Sequence, residues 1–407
     1  MNLRADATLR PTLVVENARS ESGEAVDLVL SGEVIAALGP DAAKAAADVP
    51  RFAAEGRLLC APFVDGHIHL DKTLIGLPFA PYIPGDTIAE RIDAEKRIRR
   101  QVSGPTQARG GKLIEQIVTY GTLAVRSHVD IDTEIGLKGL EAVLSLKQSH
   151  GRLIDIQTVA FPQSGVMRDP GTADLMDAAI SAGADLVGGI DPAGIDGDIE
   201  GQLGAIFAIA ARHGVGLDIH LHDGGALGAF ELRQIAGRAL ALGLGGKVAV
   251  SHAFCLGELD DADFGCTADM LAKADVAIMT NGPGPVPMPP VKRLMACGVR
   301  VFCGSDNIRD AWSPLGNGDM LERAGIVCDR QNFRSDADLA EAFALVTQAP
   351  AAILGRPRAL EPGAPADFLL LPAGSVAEAV AARPSDRTVF RRGAMIACGG
   401  RSVGAGE

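Results

Sequence analysis

Apolar and polar positions fall into distinct textures along the chain. Residues 13–17, 25–30 and 33–38 alternate apolar and polar side chains between breaks that contain Gly or Ser. Residues 366–371 and 388–397 repeat that texture near the other end. A period of two sends successive side chains to opposite faces, so both ends predict short β-strands. Chain ends commonly lie close together. Residues 1–60 and 358–407 are therefore expected to form one small β-rich domain. A short Ala-rich piece at 42–47 reads as a surface helix.

The middle alternates differently. Apolar runs rich in β-branched residues, at 63–69, 123–130, 154–161, 185–191, 215–220, 248–252, 276–280 and 299–306, read as buried parallel strands. Helical stretches such as 203–213 and 232–244 lie between them. Eight strand–helix units across residues 61–357 predict an α/β fold, a (β/α)8 barrel. The alternative is a doubly wound sheet, disfavoured because no GxGxxG turn follows a strand. A Pro-rich run at 282–290 follows the seventh strand. On a barrel it belongs to the active-site face, unless it is a stiff turn without chemistry.

Composition narrows the partners. The chain has 407 residues, 47% hydrophobic and 22% charged, which is globular rather than disordered. Its 38 Lys and Arg stand against 51 Asp and Glu, a net charge of −13. Nucleic-acid binding needs clustered positive charge and is not expected. No uncharged apolar run reaches the roughly 18 residues of a membrane span. Residues 1–11 carry Arg4, Asp6 and Arg10 without an apolar stretch, so no signal peptide is expected. Seven cysteines, with no CxxC pair, argue against disulfides or a cysteine zinc cluster and for a cytoplasmic protein.

Chemistry concentrates at the ends of predicted strands. Six of the eight histidines sit there: His67, His69, His128, His220, His222 and His252. Barrel enzymes take their catalytic residues from those ends. His150 and His213 fall in helix-end or loop contexts instead. In His67-Ile68-His69 both imidazoles face the same way, and His220-Leu221-His222 repeats the spacing. Asp306 ends the eighth strand. Three histidines and an aspartate from three strand ends can converge on one divalent cation and leave a position for water.

The segment 63–72 resembles the opening strand of the amidohydrolase superfamily. Segments 159–165 and 251–253 resemble its cytosine deaminase branch. Segments 187–193, 220–223 and 305–310, with Trp312 and 314–320, are most similar to a triazine-degrading aminohydrolase of that branch. The resemblance implies that His67, His69, His220 and Asp306 bind one divalent metal ion, zinc or iron. Binuclear relatives carry a Lys at the end of strand four; residues 188–191 hold none, which implies a single ion. It further implies that His252 holds the metal-bound water and that Gln163 bonds the substrate ring edge. A homo-oligomer is also expected from the resemblance.

The implied reaction is hydrolytic deamination of a small aminated N-heterocycle, pyrimidine- or s-triazine-like, by attack of metal-bound hydroxide. Asp306 takes the water's proton, and ammonia or an alkylamine leaves. Cytosine deaminases carry a Glu where this chain has Asp223, with His222 beside it, and an Asp where it has Asn307. Cytosine itself is therefore not the expected substrate. Either His222 or Asp223 can protonate the ring. On an extended strand His222 shares the face of His220 while Asp223 points away unless the chain turns, and Gly224-Gly225 predict such a turn; His222 is the expected proton donor, with Asp223 orienting it or touching the substrate. Trp312 either walls the pocket or packs in the core. Lys72 either meets a substrate oxygen or pairs with Asp71 or Asp310. His128 and Asp130 are expected to support the metal histidines from behind, and Arg309 to pair with Asp310. Two other readings keep the same ligands: hydrolysis of a cyclic amide, and a metal-binding scaffold without catalysis.

Overall fold

In the computed structural model, residues 10–356 and 359–403 are described. Arg4, Asp6 and the expected domain boundary at 357–358 lie outside them. The strands, in chain order, are β1 Leu13–Arg19, β2 Ala25–Ser31, β3 Val34–Gly39, β4 Arg51–Ala53 and β5 Leu58–Cys60. There follow β6 Phe63–Ile68, β7 Thr122–Asp130, β8 Asp155–Phe161, β9 Leu186–Ile190, β10 Gly216–Leu221, β11 Val248–His252, β12 Val276–Thr280 and β13 Val301–Cys303. The last are β14 Phe368–Leu371, β15 Thr388–Arg391, β16 Ala394–Cys398 and β17 Arg401–Ser402.

β6 to β13 form one parallel sheet in sequential order, with helices in the intervals. Sequential order excludes the doubly wound alternative, whose strand order reverses. The sheet closes where Ile68 bridges Asp306, and Asp306 N–H donates to the His67 carbonyl at 2.7 Å. This is the expected (β/α)8 barrel. The eighth strand is shorter than its apolar run because residues 304–306 leave the ladder to cross to β6. Gly304 is needed there: a Cβ would lie 2.5 Å from the His67 Cβ and backbone nitrogen. No helix among the described residues is long and apolar enough to cross a membrane.

The chain ends share a second sheet, ordered β17-β16-β15-β14-β5-β1-β2-β3, with β4 alongside β1. The two ends meet where β14 runs antiparallel to β5, pairing Leu369 with Cys60 and Leu371 with Leu58. Alternation decides the packing. Phe368, Leu370 and Phe390 join a small core with Val15, Leu28 and Ile35, whereas Leu369, Leu371 and Val389 join the main barrel core. Residues 388–397, read as one strand, fold instead as a hairpin. Arg392 (φ 49°) and Gly393 (φ 76°) supply the positive φ angles that a tight two-residue turn needs. The Ala-rich piece forms a single 3-10 turn, Ala42–Ala45, and is not a surface helix. Ala43 and Ala46 are buried against Val14 and Val29.

Buried ion pairs fasten the sheet to the barrel. Arg387 is fully buried and grips Asp319 with two hydrogen bonds, at 2.8 and 2.7 Å, while donating to the Tyr120 carbonyl at 2.8 Å. Arg391 reaches Asp155 at the start of β8 at 2.9 Å. Removing one partner of a buried pair typically costs about 3–5 kcal/mol, because the other charge is left unpaired. Arg387→Ala is expected to lose about that much stability, read as a lower denaturant midpoint. An unchanged midpoint would show that the Arg387–Asp319 pair does not hold the two sheets together.

Candidate active site

The C-terminal ends of the barrel strands bring His67, His69, His220, His252 and Asp306 to one place. His67 lies in β6, with His69 just beyond it; His220 lies in β10, and His252 ends β11. Their side chains converge because residues two apart on one strand share a face and adjacent strands are in register, His220 opposite Ser251. Asp306 Oδ1 sits 3.5 Å from His67 Nε2 and 3.3 Å from His69 Nε2. Asn281 Nδ2 donates to the other oxygen, Oδ2, at 2.9 Å. The His67 and His220 ring centroids are 4.6 Å apart, and those of His220 and His252 5.1 Å.

A cation fits this group. Buried polar atoms are nearly always hydrogen-bonded, and one left alone costs about 1–3 kcal/mol. Here His67 Nε2, both ring nitrogens of His220 and His252 Nδ1 are buried without a partner among the described residues. The ligand atoms of His67, His252 and Asp306 lie within 4.8 Å of one another, as do those of His67, His128 and His220. His128 stacks on His67 at 3.9 Å, and neither of its ring nitrogens has a hydrogen-bond partner among the described residues. It stands within the cluster rather than behind it.

Electrostatics favour ligation. Burial drives His69 down to about 4, and His128, His220 and His252 well below the ordinary histidine value. Neutral imidazole is the form that binds metal. Burial pushes the Asp306 carboxyl upward, but the adjacent His67 and His69 rings outweigh it and hold it well below the usual range. Backbone strain marks the same strand ends: Asp306 (φ 62°), His252 (φ 74°) and Ala253 (φ 44°) are left-handed. Each such residue costs of order 1–3 kcal/mol and persists only where its surroundings enforce it.

His222 and Asp223 part company. The His222 ring stacks on His252 at 4.5 Å, and its Nδ1 lies 2.8 Å from Asp191 Oδ2. Burial opposes charge on His222, yet Asp191 prevails and raises it above the ordinary value. Asp223 turns away, accepting from Gly194 N–H at 2.9 Å and pairing with Glu231. Burial, then the charge of Asp223, pushes Glu231 up to about 8, so these two carboxyl groups share a proton at neutral pH. Gly225 (φ 52°) makes the turn expected after Asp223 and starts the helix Gly225–Ala241.

A second polar wall lies beside the histidines. Lys72 Nζ sits 3.0 Å from Asp130 Oδ1 and 3.4 Å from Glu95 Oε2, and donates to Gln163 Oε1. Its ion-pair partners are thus Asp130 and Glu95, not Asp71 or Asp310. Asp130 accordingly serves Lys72 instead of backing the histidine cluster. Gln163 Nε2 donates to Glu95 Oε2 at 2.6 Å, and the Trp312 indole N–H donates to the same oxygen. Burial raises Asp130 well above the carboxylate range; it acts on Glu95 too, but there Lys72 and the hydrogen bonds prevail and bring it down to about 2. Trp312 is half-buried against Ile92, Phe161, Ile190 and Ile195. Asn307 donates to Asp310 at 2.8 Å, and Asp310 also accepts the main-chain N–H of Trp312 and Ser313. Among the described residues no ion pair joins Arg309 to Asp310, because these donors occupy its carboxylate.

Sequence reading missed Glu95, Asn281, Asp191 and Glu231. Asp191 and Asn281 directly follow β9 and β12, where barrel sites are built, and that position was the available signal. Glu95 and Glu231 lie on helices and show only as ordinary helical carboxylates.

Comparison with known proteins identifies the family. The sequence profile of the amidohydrolase family matches residues 112–397. N-isopropylammelide isopropyl amidohydrolase of Pseudomonas sp. (strain ADP) is 32% identical over 84% of this chain and 87% of its own length. The crystal structure of N-isopropylammelide isopropylaminohydrolase from Burkholderia multivorans superposes with a TM-score of 0.92 at 40% identity, over 96% of this chain and 99% of that one. That of 5-methylcytosine deaminase from Klebsiella pneumoniae, liganded with 5-fluorocytosine, gives 0.84 at 30% identity over 96% and 98%. With a profile across most of the chain and relatives above 30% identity along nearly all of it, the protein belongs to the amidohydrolase family and is a hydrolase acting on carbon–nitrogen bonds.

Proposed function

We propose that the protein is a hydrolytic aminohydrolase of a small aminated N-heterocycle, pyrimidine- or s-triazine-like, with His67, His69, His220 and Asp306 holding one divalent cation, zinc or iron. The observation that carries this reading is the group of partnerless buried imidazole nitrogens around Asp306. The names of the similar proteins, which point to an ammelide and to cytosines, support the substrate class.

A divalent cation held by these residues would supply Lewis acidity and lower the pKa of water to about 7. Asp306, with Oδ2 held by Asn281, takes a proton from the attacking water at Oδ1. His252 orients that water from the end of β11. The water oxygen bonds to the ring carbon that bears the amino group. His222 has Nδ1 committed to Asp191 and donates from Nε2 to the ring nitrogen or to the departing amine. The carbon–nitrogen bond breaks, leaving a ring carbonyl and ammonia or an alkylamine. Asp223, fixed by Gly194 and Glu231, holds the backbone that presents His222 and carries no proton to the ring. Lys72, Gln163, Trp312 and Asn307 form the wall against which the heterocycle lies, with Glu95 fixing the first three.

One metal ion per chain is expected by elemental analysis, and His220→Ala should lose it. Two tightly held ions, or full metal in that variant, would contradict the ligand set. Ammonia or amine release from a panel of aminated triazines, pyrimidines and cyclic amides tests the reaction; ring opening without amine release would favour the cyclic amide reading. In the same assay His252→Asn and His222→Ala should keep the metal and lose at least about 10²-fold in turnover, the range of general acid–base groups. Asp223→Ala should cost less. Asp223→Glu should gain no cytosine turnover, because the added methylene extends toward Glu231. The reverse ranking of His222 and Asp223 would transfer the proton shuttle to Asp223.

A further inference from the structure

A line of buried polar side chains leads from the active-site histidines down through the barrel. His67 Nδ1 lies 2.9 Å from Ser251 Oγ. Ser251 Oγ donates to Asp218 Oδ1 at 2.8 Å. Asp218 Oδ2 accepts from Arg126 Nη1 at 2.7 Å. Arg126 is held in turn by Gln157 Oε1 at 2.9 Å and the Ile353 carbonyl at 3.1 Å. His67, Ser251, Asp218 and Arg126 are all buried. Arg126 lines a cavity of about 250 Å³ beside Leu186, Gly216 and Val248, the first residues of β9, β10 and β11. The line therefore runs from the catalytic end of the barrel to the opposite end.

Charge dictates the direction of each hydrogen bond. A guanidinium only donates, and a carboxylate only accepts. The single Ser251 proton is thus committed to Asp218. What Ser251 offers His67 is a lone pair, so His67 must present its N–H at Nδ1. A neutral imidazole protonated at Nδ1 has its free lone pair at Nε2. Nε2 is the nitrogen that faces Asp306 and has no partner among the described residues. His128 stacks on His67, yet it lacks this arrangement: its Nε2 comes no nearer to Asp218 than 3.7 Å, and neither nitrogen has a hydrogen-bond partner among the described residues.

We propose that Ser251 and Asp218, backed by Arg126, are positioning residues that fix the His67 tautomer and so prepare Nε2 for the cation. The proposal rests on the metal reading above and adds the side chains that orient one ligand. Groups that hold the far nitrogen of a ligating histidine typically contribute about 10–100-fold to metal affinity.

The test is a zinc titration of the full-length protein against a chromophoric chelator. Ser251→Ala removes the acceptor with little change in volume and should raise the zinc dissociation constant about 10–100-fold. Ser251→Thr keeps the hydroxyl and should restore binding to within a few-fold of the parent. In Asp218→Asn the amide can donate to Ser251 and turn the hydroxyl proton toward His67 Nδ1, so zinc should weaken at least as much. The double variant Ser251→Ala/Asp218→Asn should then lose less than the sum of the single losses, because both act through one line. If Asp218→Asn fails to fold, with Arg126 left unpaired, the alanine and threonine variants of Ser251 still decide the matter. Zinc held by Ser251→Ala as tightly as by the parent, or equal losses in the alanine and threonine variants, would overturn the relay alone. A parent that binds neither zinc nor iron would overturn the metal reading and the relay with it.

Discussion

Asp65 sits fully buried at the seam between β6 and the segment that follows β13. It accepts the main-chain N–H of His67 at 3.2 Å and of Ser305 at 2.9 Å, together with the Ser305 hydroxyl. This one carboxylate binds the first barrel strand to the last where Asp306 must face His67 and His69. The close approach at Gly304 and the left-handed backbone of Asp306 are tolerable because the seam is clamped on both sides. Barrel closure and the assembly of the histidine–aspartate group are consequently a single structural event. A looser seam would leave three histidines without their carboxylate.

The interior above that seam divides into two electrostatic halves. Around the histidines, burial strips charge and leaves neutral nitrogen lone pairs. Around Lys72, charge is retained and shared among Glu95, Asp130, Gln163 and Trp312. Phe161 stands between the halves, stacked on His220 at 4.0 Å with the Lys72 ammonium 5.2 Å from its ring centroid. A flat polar ring entering this space meets lone-pair chemistry on one side and fixed hydrogen-bonding groups on the other.

Much of this was legible in the sequence, for reasons that differ by element. Parallel strands buried on both faces write themselves as apolar β-branched runs, so all eight barrel strands could be placed. The histidines could be placed as well, because strand ends are where a barrel builds its site. The hairpin turn at Arg392-Gly393 was less visible, since Arg seldom signals a positive φ. The Ala-rich turn was misread because small residues suit a helix and a tight packing contact equally well. Partnerships that cross the barrel were invisible. Nothing local to Lys72 announces Glu95 and Asp130, and nothing near Asp310 announces that backbone amides will displace Arg309. Such pairings depend on where other elements deliver their side chains, which the period of a single element does not encode.

The union of β5 with β14 has a consequence for how the protein is made. Leu58 emerges from the ribosome roughly 310 residues before its partner Leu371. At roughly 5–20 residues per second, the first five strands wait many seconds with one edge open. An exposed strand edge invites pairing with other chains. The barrel core can begin to collapse before the closing strands arrive, but the second sheet cannot close until they do. Its completion is a late, long-range event of the kind that slows folding. Translation speed and chaperone shielding of that waiting edge therefore bear on the yield of native protein as directly as the stability of the finished fold.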